Sequence, residues 1–505
     1  MQMKKFFVTA VVILALSSFV NAETVIGFDE ALKTSFEKNE NLKKAVSDLK
    51  ISEAVVEKTY SQFDLFFKGG VNYSESKAEP SSPFSPDRTK VLSYSAGLSN
   101  KLPIGGFLSL DFTSTRLSMF YPDMGFSIPG LDASLFTGPY NPSFTPKLSI
   151  NYVQPLLKDF WGRPDEKAIK IGEYSVSLSR AGLKNSVLDH VSQMKEAYYF
   201  IYMAGKLLEI QKGFLEDSQK FYDETVKLKK IGLREERDVL QTRASLLNSQ
   251  AEITPAENNV KLAKENFLSL AGYGVTEWDG VSVSVTDTVE ETHVPESLTE
   301  ELENTLTDLQ PAVVIAKTAM DMAKTGKEIS EISALPSLNL IGNYTMEASD
   351  GNLEAAYDKF DNNNYNSFMA GVQFSYSFPN RGGNGDVDDK TEGYKKAFEQ
   401  YEFLKRMMKI QIRNSYRKLL TAKNDYELKK EAAELQGKRL KIEQSNFSSG
   451  RISTRELLGT QMEYHTSKIK ETAAFYEYVK AVSSWNKMSG KYDGFYNSLK
   501  ESEVK

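Results

Sequence analysis

The side chains that most often do covalent chemistry are scarce in this chain. It has 505 residues, no cysteine and only three histidines, His190, His293 and His465, each in a different stretch of sequence. Thiolate chemistry and disulfides are therefore excluded, and a three-histidine metal site or a histidine triad would need an improbable convergence. No nucleophile, base and orienting group occur at a recognisable spacing. We expect no enzyme, no metal site and no cofactor.

Two carboxylates do occupy matching positions. Asp238 follows Gly232 by six residues and Glu456 follows Gly450 by six residues, and two aliphatic residues come after each acid. An acid near the start of a helix is ordinarily a solvated residue that the helix dipole stabilises. Carboxylates that are crowded together instead repel one another and attract cations. The spacing alone leaves both interpretations open.

Charge and hydropathy narrow the class of protein. The chain carries 62 Lys and Arg against 68 Asp and Glu, a formal net charge of -6, which argues against bulk nucleic-acid binding. Its mean hydropathy of -0.41 is too polar for a helical membrane protein.

The first 22 residues resemble a secretory signal. Lys4 and Lys5 precede an apolar run from Phe6 to Val20, and Val20-Asn21-Ala22 is a small-residue cleavage pattern that would leave Glu23 as the mature N-terminus. A retained helical anchor is the alternative, although the run is short for a bilayer. No later run reaches 18 uninterrupted apolar residues, so a mature chain that enters a membrane would do so through β-strands or by surface adsorption.

The distribution of prolines along the chain separates segments that can form long helices from segments that form strands. Eleven of the 16 prolines lie between Pro80 and Pro164, and none lies at 165–254 or from 380 onward. Apolar spacings of three, four and seven predict long helices from Asp165 to about Lys230 and across 394–419. A helix of roughly 65 residues is about 100 Å long, so it must pack against other rods.

Each long helix is expected to turn back on itself. Gly232 and Gly450 interrupt the pattern, because glycine accepts the left-handed conformation that ends a helix. Shorter helices are predicted from Arg234 to Ala271, with a kink at Pro255, and from Thr454 to Ser489. The chain therefore predicts two antiparallel helical hairpins.

Strand patterns lie between the helical segments. They alternate large apolar with polar or small residues. These segments are Val71 to Ser74, Leu108 to Arg116, Leu148 to Val153, Leu338 to Met346 and Val372 to Phe378. One face would meet lipid and the other, with Asn72, Asn151, Asn343, Gln373 and Ser375, would meet water; a soluble sandwich gives the same alternation. An extra hairpin is indicated by Val91 to Asn100 and Gly106 to Arg116.

The order of elements occurs twice, as helix, strand, loop, strand, long helix, turn and helix. One chain therefore offers four strands, or six if the extra hairpin joins the sheet. Unpaired strand edges in hydrocarbon cost several kcal/mol per group, and single barrels have at least about eight strands. We therefore expect a cyclic homo-oligomer whose copies complete one sheet.

These motifs resemble the TolC-type outer-membrane efflux proteins over nearly the whole mature chain. The similar segments are Phe28 to Leu32, Asn39 to Leu42, Val153 to Leu157, Phe378 to Gly383, Gly232 to Leu240 and Gly450 to Leu458. The resemblance implies an α+β membrane fold built from two internal repeats. A homotrimer would share one transmembrane β-barrel in the outer membrane, continued by a long periplasmic α-helical barrel.

The domain boundaries expected from this resemblance divide the chain into five parts. They are a signal peptide at 1–22, a first repeat at 23–272, an equatorial connecting segment at 273–307 with Val281 to Val285 as a strand, a second repeat at 308–489 and a C-terminal tail at 490–505.

The implied function is passive export. The chain would be the exit duct of a tripartite efflux or type I secretion system, with an inner-membrane transporter and a periplasmic adaptor as partners and outer-membrane lipid around it. No phosphate-binding loop occurs, in keeping with an energy supply elsewhere. A periplasmic coiled-coil scaffold without a pore is the alternative, and a cell-surface enzyme is a third class.

The resemblance also implies site residues. Gly232, Leu233, Gly450 and Arg451 would contact the adaptor at the hairpin tips, although these glycines could simply end helices. Asp238 and Glu456 would repeat three times around a channel constriction. This chain departs from the family pattern at Gly459, where a second acid is expected, and at Ile452, where a basic residue is expected. The constriction would then be held closed by other contacts. The candidates for these contacts are Arg234, Arg237 and Arg455.

Overall fold

A computed structural model describes residues 24–82, 85–121, 140–286, 292, 294–362 and 365–503 of the protein. The expected signal peptide lies outside these residues. The chain divides into two units. We call the described parts of 1–49, 179–316 and 401–505 the helical unit, and the described parts of 50–178 and 317–400 the sheet unit.

The helices are α1 (Phe28–Lys38), α2 (Glu40–Tyr60), α3 (Arg163–Lys230), α4 (Glu236–Ala251), α5 (Ile253–Leu270), α6 (Glu300–Leu309), α7 (Pro311–Ser333), α8 (Leu353–Asp361), α9 (Arg381–Ser448), α10 (Thr454–Met488) and α11 (Asp493–Glu503). The strands are β1 (Thr24–Ile26), β2 (Phe66–Lys77), β3 (Arg88–Lys101), β4 (Phe107–Phe120), β5 (Ser143–Pro155), β6 (Val281–Val283), β7 (Ser337–Glu347) and β8 (Asn366–Ser375).

The two predicted long helices are present. Both α3 and α9 have 68 residues, and each is followed by a short turn and a returning helix. The returning helix α10 ends at Met488, one residue before the predicted end. The periodic apolar spacing was therefore sufficient to place both hairpins.

The kink expected at Pro255 is present, and it divides the stretch predicted as one helix from Arg234 to Ala271 into two helices. The first, α4, ends at Ala251, and α5 begins at Ile253 after a break at Glu252. Pro255 lacks an N–H group, and its ring would clash with the carbonyl group four residues earlier, which belongs to Ala251. The proline therefore ends one helix and stands in the first turn of the next.

Six strands form one antiparallel sheet in the order β2-β3-β4-β5-β7-β8. The extra hairpin predicted from the sequence is β3 and β4, and it lies inside this sheet. Its turn closes with a hydrogen bond from the N–H of Gly105 to the carbonyl oxygen of Leu102 at 2.8 Å. The sheet unit thus has six described strands, as expected if the extra hairpin joins the sheet, and not the minimum of four.

The strand register separates the sheet into a polar face and an apolar face, because residues opposite one another on paired strands share a face. The polar face carries Lys68, Asn72, Ser93, Ser109, Asp111, Ser149, Asn151, Asn343, Thr345 and Gln373. The apolar face carries Phe67, Val71, Leu92, Tyr94, Leu110, Phe112, Ile150, Tyr344, Val372 and Phe374. The five polar positions predicted to share a face do so.

Hydrogen bonds connect side chains across the polar face. Asn343 donates to Asn151 at 2.5 Å, and Asn151 donates to Ser109 at 3.2 Å. Lys68 forms an ion pair with Asp111 at 2.7 Å. On the apolar face, Phe360 of α8 packs edge to face against Phe112, with ring centres 6.2 Å apart.

The helical unit has its own core, built around α3. Buried residues of α1, α5 and α10 pack against this helix, and Tyr492, just before α11, joins them. The expected strand near Val281 is present as β6, and it pairs in parallel with β1. The sequence did not predict this partner.

The connecting segment packs through α6. Leu306 lies in a buried cluster with Trp485, and Gln310 donates to the carbonyl oxygen of Met488 at 2.9 Å. Glu303 is only 2% exposed, and Arg413 donates to it from Nη2 at 2.8 Å, which raises the pKa of the guanidinium.

Among the helices of the described residues, none combines the length and the apolar character needed to cross a membrane.

Candidate functional site: the tips of the two helical hairpins

Both hairpins turn through the same backbone motif. Gly232 has a φ of 79° and Gly450 a φ of 72°, both in the left-handed region. The N–H of Leu233 bonds to the carbonyl oxygen of Leu228 at 2.9 Å, and the N–H of Arg451 bonds to that of Asn446 at 2.9 Å. This is the Schellman arrangement, in which glycine at the left-handed position ends a helix without steric cost.

The two candidate constriction acids also occupy equivalent places. Asp238 is the third residue of α4 and accepts a hydrogen bond from the N–H of Glu235 at 3.1 Å. Glu456 is the third residue of α10 and accepts from the N–H of Ser453 at 2.8 Å. Each carboxylate therefore closes a capping box at the start of its helix.

The environment of Glu456 keeps its side chain charged. Hydrogen bonds from the backbone N–H and the hydroxyl of Ser453 lower the pKa of this carboxyl below its ordinary value. Glu456 is exposed and Asp238 is half-buried. No ion pair joins either acid to a basic side chain within the described part of the chain.

Arg234 joins one tip to the other. It donates from Nη2 to the carbonyl oxygen of Ile452 at 2.7 Å, and its guanidinium carbon lies 4.4 Å from the centre of the Phe447 ring. Among the three arginines that the sequence left as latch candidates, Arg234 makes this contact, whereas Arg237 pairs with Glu235 of its own tip at 3.6 Å.

A small apolar cluster, which we call the tip cluster, supports this contact. Its buried members are Phe221, Leu440, Phe447 and Leu457. The rings of Phe221 and Phe447 meet edge to face with centres 4.8 Å apart. Ser448 also donates to Glu224 at 2.6 Å, so the ends of α3 and α9 are joined beside the tip cluster.

The outermost residues of the tips are exposed. Ile231 and Leu233 on the first tip are large aliphatic side chains open to solvent, and Gly450 and Arg451 on the second tip are also exposed. Single aliphatic residues on a surface are common. Ile231 and Leu233, however, lie on either side of the turn glycine and together form a small exposed apolar patch.

The two departures from the family pattern have clear local structures. Gly459 is exposed, and a Cβ atom added there would meet no atom within 4 Å. Ile452 is half-buried and packs against the tip cluster, while its carbonyl oxygen receives the Arg234 hydrogen bond. The position expected to be basic thus supplies an acceptor, and the cation comes from the other hairpin.

Residues 307–491 match the family model described as outer membrane efflux protein. The chain is similar to the outer membrane efflux proteins. The resemblance drawn from the sequence motifs is thereby confirmed. No curated protein matches the chain in sequence.

Solved outer membrane proteins share the fold of the chain. The Campylobacter jejuni CmeC outer membrane channel has a TM-score of 0.67 at 14% identity, covering 94% of this chain and 89% of that one. The Vibrio cholerae outer membrane protein VceC has a TM-score of 0.65 at 13% identity, covering 92% of this chain and 96% of that one. The open state of the Neisseria gonorrhoeae MtrE channel has a TM-score of 0.63 at 12% identity, covering 92% and 88%. At these identities the likeness establishes the fold.

Some residues of the hairpin tips were not predicted from the sequence. Phe447 was not singled out, since an aromatic residue in a helical seam gives no sign of the cation it will meet. Ser453 could have been found, because Ser453-Thr454-Arg455-Glu456 fits the capping-box pattern. Among the described residues, no group of three His, Asp or Glu side chains could hold a metal ion.

Proposed function

We propose that this chain is an outer-membrane exit duct through which substrates leave passively after an inner-membrane transporter and a periplasmic adaptor deliver them. Three copies would share one transmembrane barrel and one periplasmic helical barrel. The role is transport without catalysis, in a tripartite efflux or type I secretion system.

The main support for this proposal is the division of the six-stranded sheet into an apolar and a polar face. Its apolar face holds aromatic and aliphatic side chains along all six strands, while its polar face holds amides, hydroxyls and a Lys68–Asp111 ion pair. A wall between lipid and water needs this division. A soluble sandwich would instead cover the apolar face with a second sheet, and the only other described sheet is the short pair β1 and β6.

The hairpin tips support the partner assignment. They present Leu233 and Arg451 beside two matching turn glycines, a surface suited to an adaptor that also repeats around an axis. The acids Asp238 and Glu456 lie in the first turn beyond each tip, and three copies would bring six carboxylates towards one axis. We propose these as the cation-attracting constriction.

Planar-bilayer conductance of the purified mature protein tests this function. We expect detergent-dependent extraction, an oligomer whose gel mobility changes on heating, and discrete conductance steps. A heat-denatured sample of the same preparation is the control. Extraction without detergent as a monomer that conducts nothing would overturn the proposal and would favour the periplasmic scaffold.

A further inference from the structure

The β3–β4 hairpin has the properties of a membrane wall. It pairs over its full length, from Arg88 opposite Phe120 to Lys101 opposite Phe107, and β2 and β5 pair with its two sides. A hairpin that merely capped the mouth of a pore would not separate β2 from β5 along their length.

The hairpin also continues the two faces of its neighbours. Along β3, Leu92 and Tyr94 lie on the apolar face and Ser93 and Ser95 on the polar face, because they oppose Tyr73, Val71, Asn72 and Gly70 of β2. The same alternation runs along β4, where Leu110 is apolar and Asp111 polar. A lipid–water wall requires alternation of period two, and it holds from Leu92 to Leu98 and from Leu108 to Thr113; nearer the open end of the hairpin, the charged Lys90 and Arg116 lie on the apolar face.

The two outer strands are each paired on one side only. β2 pairs with β3 and β8 with β7, and neither has a second partner among the described residues. Apolar residues of these outer strands are more exposed to solvent than those of the inner strands. Val71 is 70% and Phe368 is 74% exposed, against 38% for Leu110 in the middle of the sheet. Because six strands alternate in direction, β2 and β8 run oppositely and can pair antiparallel between copies.

The register gives the strands a barrel-like tilt. The row through Phe66, the first residue of β2, crosses the sheet to Met369, the fourth residue of β8. Measured along the strand direction, the centre of β8 is therefore displaced by about seven residues from the centre of β2. This displacement accumulates over the five strand pairs between them. At ~3.3 Å per residue and ~4.8 Å per strand this is a tilt of about 45°, and closed barrels have ~35–45°.

We infer that three copies close an eighteen-stranded barrel in which β2 of one copy pairs with β8 of the next. The inference rests on the proposed trimer, and its count follows from six strands in each copy. We call the contact between β2 of one copy and β8 of the next the seam. If the same displacement per strand pair continues across the seam, Ser74 of one copy lies opposite Met369 of the next, and both are on the polar face. Barrels of ~16–18 strands leave an aqueous channel, so the hairpin widens the outer end of the duct.

Cysteine cross-linking tests the seam, since the native chain has no cysteine. The double variant Ser74→Cys/Met369→Cys is treated in vesicles with a short bis-maleimide. We expect covalent dimers and trimers, because each copy bears one cysteine on each edge. The single variants are matched controls and should stay monomeric on denaturing gels. Heat-sensitive trimers whose double variant does not cross-link would overturn the inference while leaving the proposed trimer standing.

Thiol labelling tests the hairpin separately. Single variants Leu92→Cys, Ser93→Cys, Tyr94→Cys and Ser95→Cys are exposed in vesicles to a charged maleimide, with labelling in urea as the measure of full reactivity. We expect the two serine positions to label at least tenfold faster than the other two. Equal labelling of all four in intact trimers would mean that the hairpin lies outside the wall. Absence of any trimer would refute the proposed assembly itself.

Discussion

Arg234 and Ile452, 218 positions apart in the chain, are joined by a hydrogen bond of 2.7 Å from the guanidinium Nη2 to the carbonyl oxygen. The same guanidinium lies over the ring of Phe447. A hydrogen bond from a charged donor contributes ~1.5–3 kcal/mol, and a cation–π contact adds ~0.5–2 kcal/mol. Arg234 therefore joins the two hairpin tips, in addition to the tip cluster and the hydrogen bond from Ser448 to Glu224.

Removing this side chain should loosen the tips. We expect Arg234→Ala to raise single-channel conductance and the open fraction, because the first tip loses its bond to Ile452. Arg237→Ala is the matched control, since Arg237 is an exposed arginine on the same tip that pairs with Glu235 of its own tip at 3.6 Å. Equal effects of the two variants in bilayer recordings would show that Arg234 has no latching role.

The turn glycines should resist substitution. Gly232→Ala and Gly450→Ala each place a Cβ on a residue with positive φ, which costs ~1–2 kcal/mol, although neighbouring atoms leave space at both sites. We expect both variants to lower the thermal midpoint of helix loss, followed by circular dichroism in detergent. Gly459→Ala should raise it, because this glycine lies inside α10 with no atom near its added Cβ. A higher midpoint for Gly232→Ala would contradict the Schellman assignment.

The proposed constriction should govern ion selectivity. We expect Asp238→Asn and Glu456→Gln to lower the preference for cations, measured as a smaller reversal potential in a salt gradient, with the double variant lowest. Glu216→Gln is the control, because Glu216 is an exposed acid of α3 that pairs with Lys220 at 2.7 Å. Unchanged reversal potentials in the double variant would place the constriction elsewhere.

The pH dependence of that selectivity should report on Glu456. In the Asp238→Asn background, the hydrogen bonds from Ser453 hold the pKa of Glu456 below its ordinary value, so cation preference should persist as pH falls through the usual glutamate range. It should be lost only at lower pH, when the carboxylate is protonated. Adding Ser453→Ala removes the hydroxyl donor and should move the loss to higher pH. No movement would mean that Glu456 does not set the selectivity.

His190 should make the fold sensitive to acid. Its ring is buried beside Ser35, with Nε2 2.8 Å from Oγ, and burial lowers its pKa to about 4. In the unfolded chain the ring binds a proton near pH 6.5, so stability is lost as pH falls from about 6.5 towards 4, by up to about 3 kcal/mol. We expect His190→Gln to flatten urea-unfolding midpoints over this range relative to the native chain. Parallel pH profiles for the two proteins would contradict the burial argument.

The hairpins illustrate what local pattern can predict. Gly232 and Gly450 were identified as turns because helix termination depends on a few neighbouring residues, and the Schellman bonds join atoms within one turn. The kink expected at Pro255 lies three residues earlier, at Glu252, because the proline ring would clash with the carbonyl group of Ala251. The paired roles of Asp238 and Glu456 as caps follow from the same local chemistry.

By itself, the amino-acid sequence determined the alternation that makes one side of each strand apolar, the extent of α3 and the positions of both tips, because these depend on neighbours within about four residues. The tertiary structure alone decided that β3 and β4 stand between β2 and β5, that β1 pairs with β6, and that Arg234 reaches Ile452. Such contacts join residues far apart in the chain. The pairing free energy of distant residues depends on which partners the fold brings within reach, and no local periodicity encodes that choice.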